Sequence, residues 1–205
     1  MATERIGAER PATGGAALRQ KVTDAITEAI FAELAESGYA RMSMEAIARR
    51  AGVGKAALYR RWSSKQEMLT ELIRTAVEDA LPPIPATGAL RTDLREFLGH
   101  IRTQLADPIV SRIGPGLIAE ASHTGALADV LHTSVAVPRR AAARTMLQAA
   151  IDLGELPARL DLELAMDLLI APVGFRMLVM GGAGDDAYLD TLTAAIEAAL
   201  KAAVR

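Results

Sequence analysis

The chain has 205 residues, a net charge of −2, and 51% hydrophobic against 23% charged residues, which excludes a disordered chain and leaves enough apolar mass for a sizeable core. The absence of cysteine excludes disulfides, thiolate-bound zinc and thiol catalysis. The opening "MATERIGAERPATGG" alternates charges without an apolar centre, and the longest apolar run, 168–180, is broken by Pro172, Gly174 and Arg176, so neither a secretory leader nor a membrane span is expected and the reading is a cytoplasmic protein.

Nearly every segment carries apolar residues at a helical period, and none sustains the alternation of a strand, which predicts an all-α fold of about nine helices. Leu18, Val22, Ile26, Ala29, Ile30 and Leu34 form one stripe of a first helix that should end at Gly38. Ser43 is placed to cap a short helix bearing Met44, Ile47 and Ala48, and Gly52 should end it. A second short helix starts near Lys55 with Leu58 inward, and a capping box, Ser64 with Glu67 or Ser63 with Gln66, opens a fourth helix running to about Ala80, where "LPPIP" stops it. Leu90, Leu94, Phe97, Leu98, Ile101 and Leu105 share one face of the next helix, which breaks at Asp107-Pro108. "GPG" at 114–116 is expected to interrupt a short helix, and Pro138 to kink a long one over roughly 126–153. Asp161 should cap a helix holding Leu162, Ala165, Leu169, Val173 and Met177, and a last helix follows "GGAGDD".

The stretch "GVGKAALYRRW", 52–62, contains Gly52, Gly54 and Ala57 in the spacing of a dinucleotide-binding loop. That loop needs an incoming strand, whereas "MSMEAIARRA" before it is helical and carries Arg49 and Arg50. A P-loop fails as well, because Arg49 stands where its first glycine belongs and Ala56 follows Lys55. Two short helices, 43–51 and 55 to about 61, joined by Gly52-Val53-Gly54, instead have the form of a helix-turn-helix. Charge agrees: residues 1–65 hold 11 basic against 7 acidic groups, the remainder 12 against 18, and 43–65 alone six basic to one acidic. A solvated helix face would show the same excess; a phosphate-binding surface is the functional reading.

The run "MSMEAIARRAGVGKAALYRRWSSKQEMLTELI" resembles the DNA-binding segment of TetR-family transcriptional repressors, from the first predicted helix to the fourth. The resemblance implies an N-terminal arm over 1–16, a helix-turn-helix domain over 17–63 and a ligand-binding and dimerisation domain over 64–205. It implies that Lys55, Ala56 and Ala57 face base edges, that Tyr59, Arg60 and Arg61 follow along the groove wall, and that Ser43 and Lys65 fix register on the phosphates. Glu45 matches a position that can reach a base, and also suits a helix-start charge. Arg5 and Arg10 would lie on the arm. Ala57 and Arg61 depart from the commoner family residues, which leaves the operator sequence open. Trp62 is expected to pack the third helix against the first and fourth.

The family places a ligand cavity inside the C-terminal helices and a homodimer interface on the last two. Between 66 and 205 the aromatics are Phe97, Phe175 and Tyr188, too few for a cage around a quaternary ammonium, so an apolar or mixed effector is expected. Phe97, His100, His123, Phe175 and Arg176 are the candidate ligand contacts, with His132 a further polar candidate. No metal, cofactor or catalytic cluster is read. A ligand-responsive repressor of a palindromic operator is therefore the expected function, and a helical protein-binding adaptor without DNA binding is the alternative.

Overall fold

The computed structural model describes residues 14–80 and 84–204. Arg5 and Arg10 of the expected arm and the Leu81-Pro82-Pro83 stop lie outside them. Among the described residues the chain is helical throughout: α1 (Gly14–Arg41), α2 (Met44–Arg50), α3 (Lys55–Arg61), α4 (Lys65–Ala80), α5 (Leu90–Ala106), α6 (Pro108–Ala121), α7 (Gly125–Leu131), α8 (Val137–Asp152), α9 (Leu162–Gly174) and α10 (Asp186–Ala202). A π turn (His132–Ala136) joins α7 to α8 in one rod, and a second (Phe175–Val179) extends α9.

Local chemistry sets most of the boundaries. The main body of α1 ends where Gly38 adopts φ 73° and ψ 167°, a conformation nearly closed to residues with a Cβ. The Ser43 hydroxyl accepts from the Ala46 N–H at 3.2 Å. Asp107 accepts from the Ile109 and Val110 N–H groups, Asp161 from Leu164, and Asp185 from Tyr188, so three later helices open on an aspartate cap. At the start of α4 the Ser64 hydroxyl accepts from the Glu67 N–H at 3.1 Å, while the Glu67 carboxylate reaches past Ser64 to the Ser63 N–H and hydroxyl. Those two donors hold the Glu67 carboxyl below its usual range.

Packing divides the interior in two. Ile26, Ile30, Leu34, Ile47, Leu58, Trp62, Met68 and Leu69 form an N-terminal core, closed from the far side by Ile113, Leu117 and Leu127 of α6 and α7. Leu94, Leu98, Met146, Leu147, Met166, Leu169, Leu189 and Leu200 form a second core from α5, α8, α9 and α10.

Three expectations need correction. Leu18 and Val22 belong to the α1 stripe by period, yet they are 64% and 40% exposed, and among the described residues neither joins a core cluster. "GPG" does not interrupt a helix: α6 runs through it with Pro115 inside. The missing N–H of Pro115 weakens α6, but Ile113 and Leu117 are buried and α6 packs along α1, so packing outweighs the lost hydrogen bond. At Pro138 the rod continues, and the disturbance takes the form of the π turn just before it, with the Val137 N–H donating to the His132 carbonyl. The wider turn relieves the contact between the proline ring and the carbonyl four residues back.

Gly38 and Gly116 separate backbone strain from space, since an added Cβ meets nothing within 4 Å at either. Gly38→Ala should lower stability by about 1–3 kcal/mol through strain alone, whereas Gly116→Ala, inside α6, should raise it by about 0.5–1 kcal/mol. Urea unfolding of both variants measures this, and equal effects would contradict it.

Candidate nucleic-acid interface

α2 and α3 have seven residues each, too short to persist alone, and hold their angle because Ile47 and Leu58 are fully buried between them while Val53 packs at the turn. Trp62 is 1% exposed, and its indole N–H donates to the Glu71 carboxylate of α4 at 2.8 Å. It packs α3 against α1 and α4, as expected from the sequence.

With its inner face sealed, α3 presents Lys55, Ala56, Ala57, Tyr59 and Arg60 outward, all of them exposed. Lys55 pairs with Glu45 across the turn and lies 5.5 Å from the Tyr59 ring, whose hydroxyl is 3.5 Å from the same carboxylate. The Lys55 hydrogen bond holds the Glu45 carboxyl below its usual range, and Glu45 in turn raises Lys55. The pair is therefore intact at neutral pH and opens only as the pH falls through the lowered Glu45 value. Glu45, Lys55 and Tyr59 thus form one exposed cluster at the mouth of the helix-turn-helix.

The six basic groups between 43 and 65 divide sharply. Arg50 bonds Glu33 at 2.9 Å and Glu36, tying α2 to α1. Arg61 donates to the Thr23 hydroxyl at 3.0 Å and Glu71 at 3.0 Å and stacks on Trp62 at 4.3 Å. Lys65 donates to the Tyr39, Ala40 and Met42 carbonyls at 2.8, 3.1 and 3.4 Å. Its three N–H bonds are taken up in closing the chain after α1. Arg61 and Lys65, expected on the groove wall and the phosphates, are here occupied by structural partners. Lys55 remains, together with Arg60 and Arg49, which have no side-chain hydrogen bond or ion pair among the described residues. Arg49 was not singled out from the sequence; its exposure beside the turn is the signal. The Ser43 hydroxyl caps α2 and keeps its own proton to donate.

Comparison with known proteins agrees with this geometry. The model described as "Bacterial regulatory proteins, tetR family" matches residues 26–72, and "Tetracyclin repressor-like, C-terminal domain" matches 84–196. The HTH-type transcriptional regulator YdeS of Bacillus subtilis is 33% identical over 171 residues, covering 82% of this chain and 84% of that protein. The chain belongs to the TetR family. The DNA-binding transcriptional repressor TetR of Mycobacteroides abscessus is 31% identical over 159 residues, 78% of this chain and 83% of that one. The crystal structure of the TetR family transcription regulator SCO0332 aligns with a TM-score of 0.65 at 30% identity over 87% of this chain and 97% of that one. TetR-family proteins are DNA-binding transcriptional regulators and not enzymes, and among the described residues no helix is long and apolar enough to cross a membrane.

In this TetR-family chain the five candidate ligand contacts do not converge. Phe97 is buried in the second core at 5% exposure. His100 borders an open groove of about 560 Å³ between α5 and α10. His123 is exposed in the turn after α6. Phe175, 59% exposed, stands on the outer face of the second π turn, and Arg176 donates to the Ala183 carbonyl at 2.9 Å and stacks on Tyr188 at 4.6 Å. Period could not separate an inward from an outward aromatic, because α9 is apolar nearly all round. His132 is exposed as well.

Lys65→Met should lower stability by about 1–3 kcal/mol, because three carbonyls lose their donor. Arg60→Ala should stay within about 0.5 kcal/mol of the parent. Denaturant unfolding distinguishes them, and a neutral Lys65→Met would show that its carbonyl bonds hold nothing together.

Proposed function

We propose that this protein is a ligand-responsive repressor that binds an inverted-repeat operator as a homodimer and is released by a small apolar or mixed effector. The observation that carries the DNA reading is the two-faced α3: Leu58 and Trp62 seal one side, while Lys55, Ala56, Ala57, Tyr59 and Arg60 stand open on the other. Lys55 suits a guanine edge and the alanine methyls suit a thymine methyl; Arg60, Arg49 and the Ser43 hydroxyl suit phosphates. Glu45 is the counterweight. Lys55 must exchange that carboxylate for DNA, so Glu45 lowers affinity for arbitrary duplex and rewards only a site that satisfies both groups.

The dimer reading rests on the last two helices. Leu164, Leu168, Ala171, Phe175 and Val179 lie at helical spacing along the open side of α9 and its π turn, with Leu164, Phe175 and Val179 47%, 59% and 62% exposed. Ala187, Ala194, Ala195, Ala198 and Ala202 are exposed on α10, small enough for a second helix to approach closely. Two such protomers would set their α3 helices about 34 Å apart, one turn of DNA. Release follows if ligand binding moves α4, whose Glu71 bonds Arg61 of α3 and which packs against α7 and the first π turn. A coupling of about 1–3 kcal/mol changes operator affinity roughly 5- to 150-fold.

Selection of the purified protein against random duplex DNA, followed by a salt titration on the winner, tests the reading. An inverted repeat with a steep salt slope is expected; no enrichment at low salt by folded protein would leave α3 as a protein-binding surface. On the selected operator, Arg60→Ala should flatten the slope by about one unit, whereas Lys55→Ala should weaken binding and relax the preference at the base it contacts. Glu45→Gln should bind non-specific duplex more tightly, with a slope steeper by about one unit. A Glu45→Gln variant that loses non-specific binding would contradict the counterweight role.

A further inference from the structure

The arginines on the outer faces of α5 and α8 are neutralised by acidic partners. Arg91 meets Glu197, Arg95 meets Asp186 and Asp190, Arg102 meets Asp186, Arg140 meets Glu163 and Asp167, and Arg144 meets Glu163. Arg139 is different. It points from the start of α8 toward α5, and among the described residues its bonds go to one neutral atom: Nε and Nη2 both donate to the Gln104 Oε1, at 3.2 and 2.8 Å. Burial alone lowers its pKa, and no carboxylate contributes an opposing pull. The contrast is sharp because residues 66–205 carry 18 acidic against 12 basic groups, and the very next residue, Arg140, takes two of them.

A desolvated cation facing only an amide oxygen is a costly arrangement to maintain. It becomes favourable once an anion arrives, and the planar guanidinium fork suits two carboxylate oxygens. Gln104 anchors the Nε side and leaves the Nη1 end, which has no partner among the described residues, open to a ligand. One guanidinium fork matches one carboxylate, which suits a single negative charge rather than a polyphosphate. Around the pair the helix rows are apolar, Ile101 and Leu105 on α5 and Ala142 and Ala143 on α8, at the margin of the second core. One turn before Gln104 on α5, His100 has a buried Nδ1 without a partner, a further polar atom that a ligand could satisfy.

We propose that Arg139, oriented by Gln104, binds the carboxylate of a monocarboxylic acid whose remainder is apolar. This deepens the ligand-responsive reading and rests on it. The site is a property of this chain's α5 and α8, and of the five contacts expected from the sequence it draws on His100 alone.

Calorimetric titration of the full chain with decanoate, hexadecanoate and 4-phenylbutanoate, each against its matched alcohol, tests it. At least one acid should bind about 10- to 100-fold more tightly than its alcohol, with Arg139→Met abolishing the preference and Arg139→Lys retaining part of it. Binding of none of the acids, equal binding of acid and alcohol, or an Arg139→Met variant that still prefers the acid would overturn the proposal. If an acid binds through Arg139 yet leaves operator affinity unchanged, the carboxylate site stands and the effector reading falls.

Discussion

The Glu71 carboxylate is the constraint on which the reading head depends. It accepts from the Trp62 indole N–H at 2.8 Å and from Arg61 at 3.0 Å, so one acidic group on α4 fixes the end of α3 through two side chains at once. Arg61 in turn reaches Thr23 on α1 and stacks on Trp62. A seven-residue helix cannot hold a fixed angle by its own hydrogen bonds. Its direction is borrowed from α1 and α4, and with Leu58 and Trp62 locked inward the remaining residues of α3 have only one way to face.

That arrangement explains why a basic stretch of sequence yields a modest basic surface. Arg50, Arg61 and Lys65 hold α2, α3 and α4 to α1, and their charge is answered by Glu33, Glu36, Glu71 and the Tyr39, Ala40 and Met42 carbonyls. Lys55 is partly answered by Glu45. The outward positive charge thus falls to Arg49, Arg60 and a lysine that must first give up its partner. Affinity for a polyanion rises with every unanswered cation, and few of the six basic groups in 43–65 remain unanswered.

The sequence made legible what depends on neighbours within one helix. Gly38, the aspartate at 161 and the inward Ile47 and Leu58 follow from backbone conformation, capping and a 3.6-residue period, and the structure has each of them. What depends on a distant segment did not show. Lys65 meets carbonyls 23 to 26 residues away and Arg61 a hydroxyl 38 away, and charge counting cannot distinguish such a group from a free one. Leu18 and Val22 illustrate the converse: the period marks a face, but only a neighbour can cover it. Arg139 was hidden for the same reason, since beside Arg140 it reads as half of an exposed basic pair.

Two rods span the boundary between the cores. In α6, Ile113 and Leu117 belong to the N-terminal core and Val110 packs on the other; in the α7–α8 rod, Leu127 and Leu131 belong to the first, and Ala142 and Ala143 to the second. Pro115 removes one backbone donor from α6 between Ile113 and Leu117, and the first π turn, just ahead of Pro138, widens the ladder between α7 and α8. A helix with a missing or widened hydrogen bond bends at lower cost than a regular one. Each core can therefore stay close-packed while the rods between them yield, and Arg139, one residue past Pro138, sits on the C-terminal side of that joint.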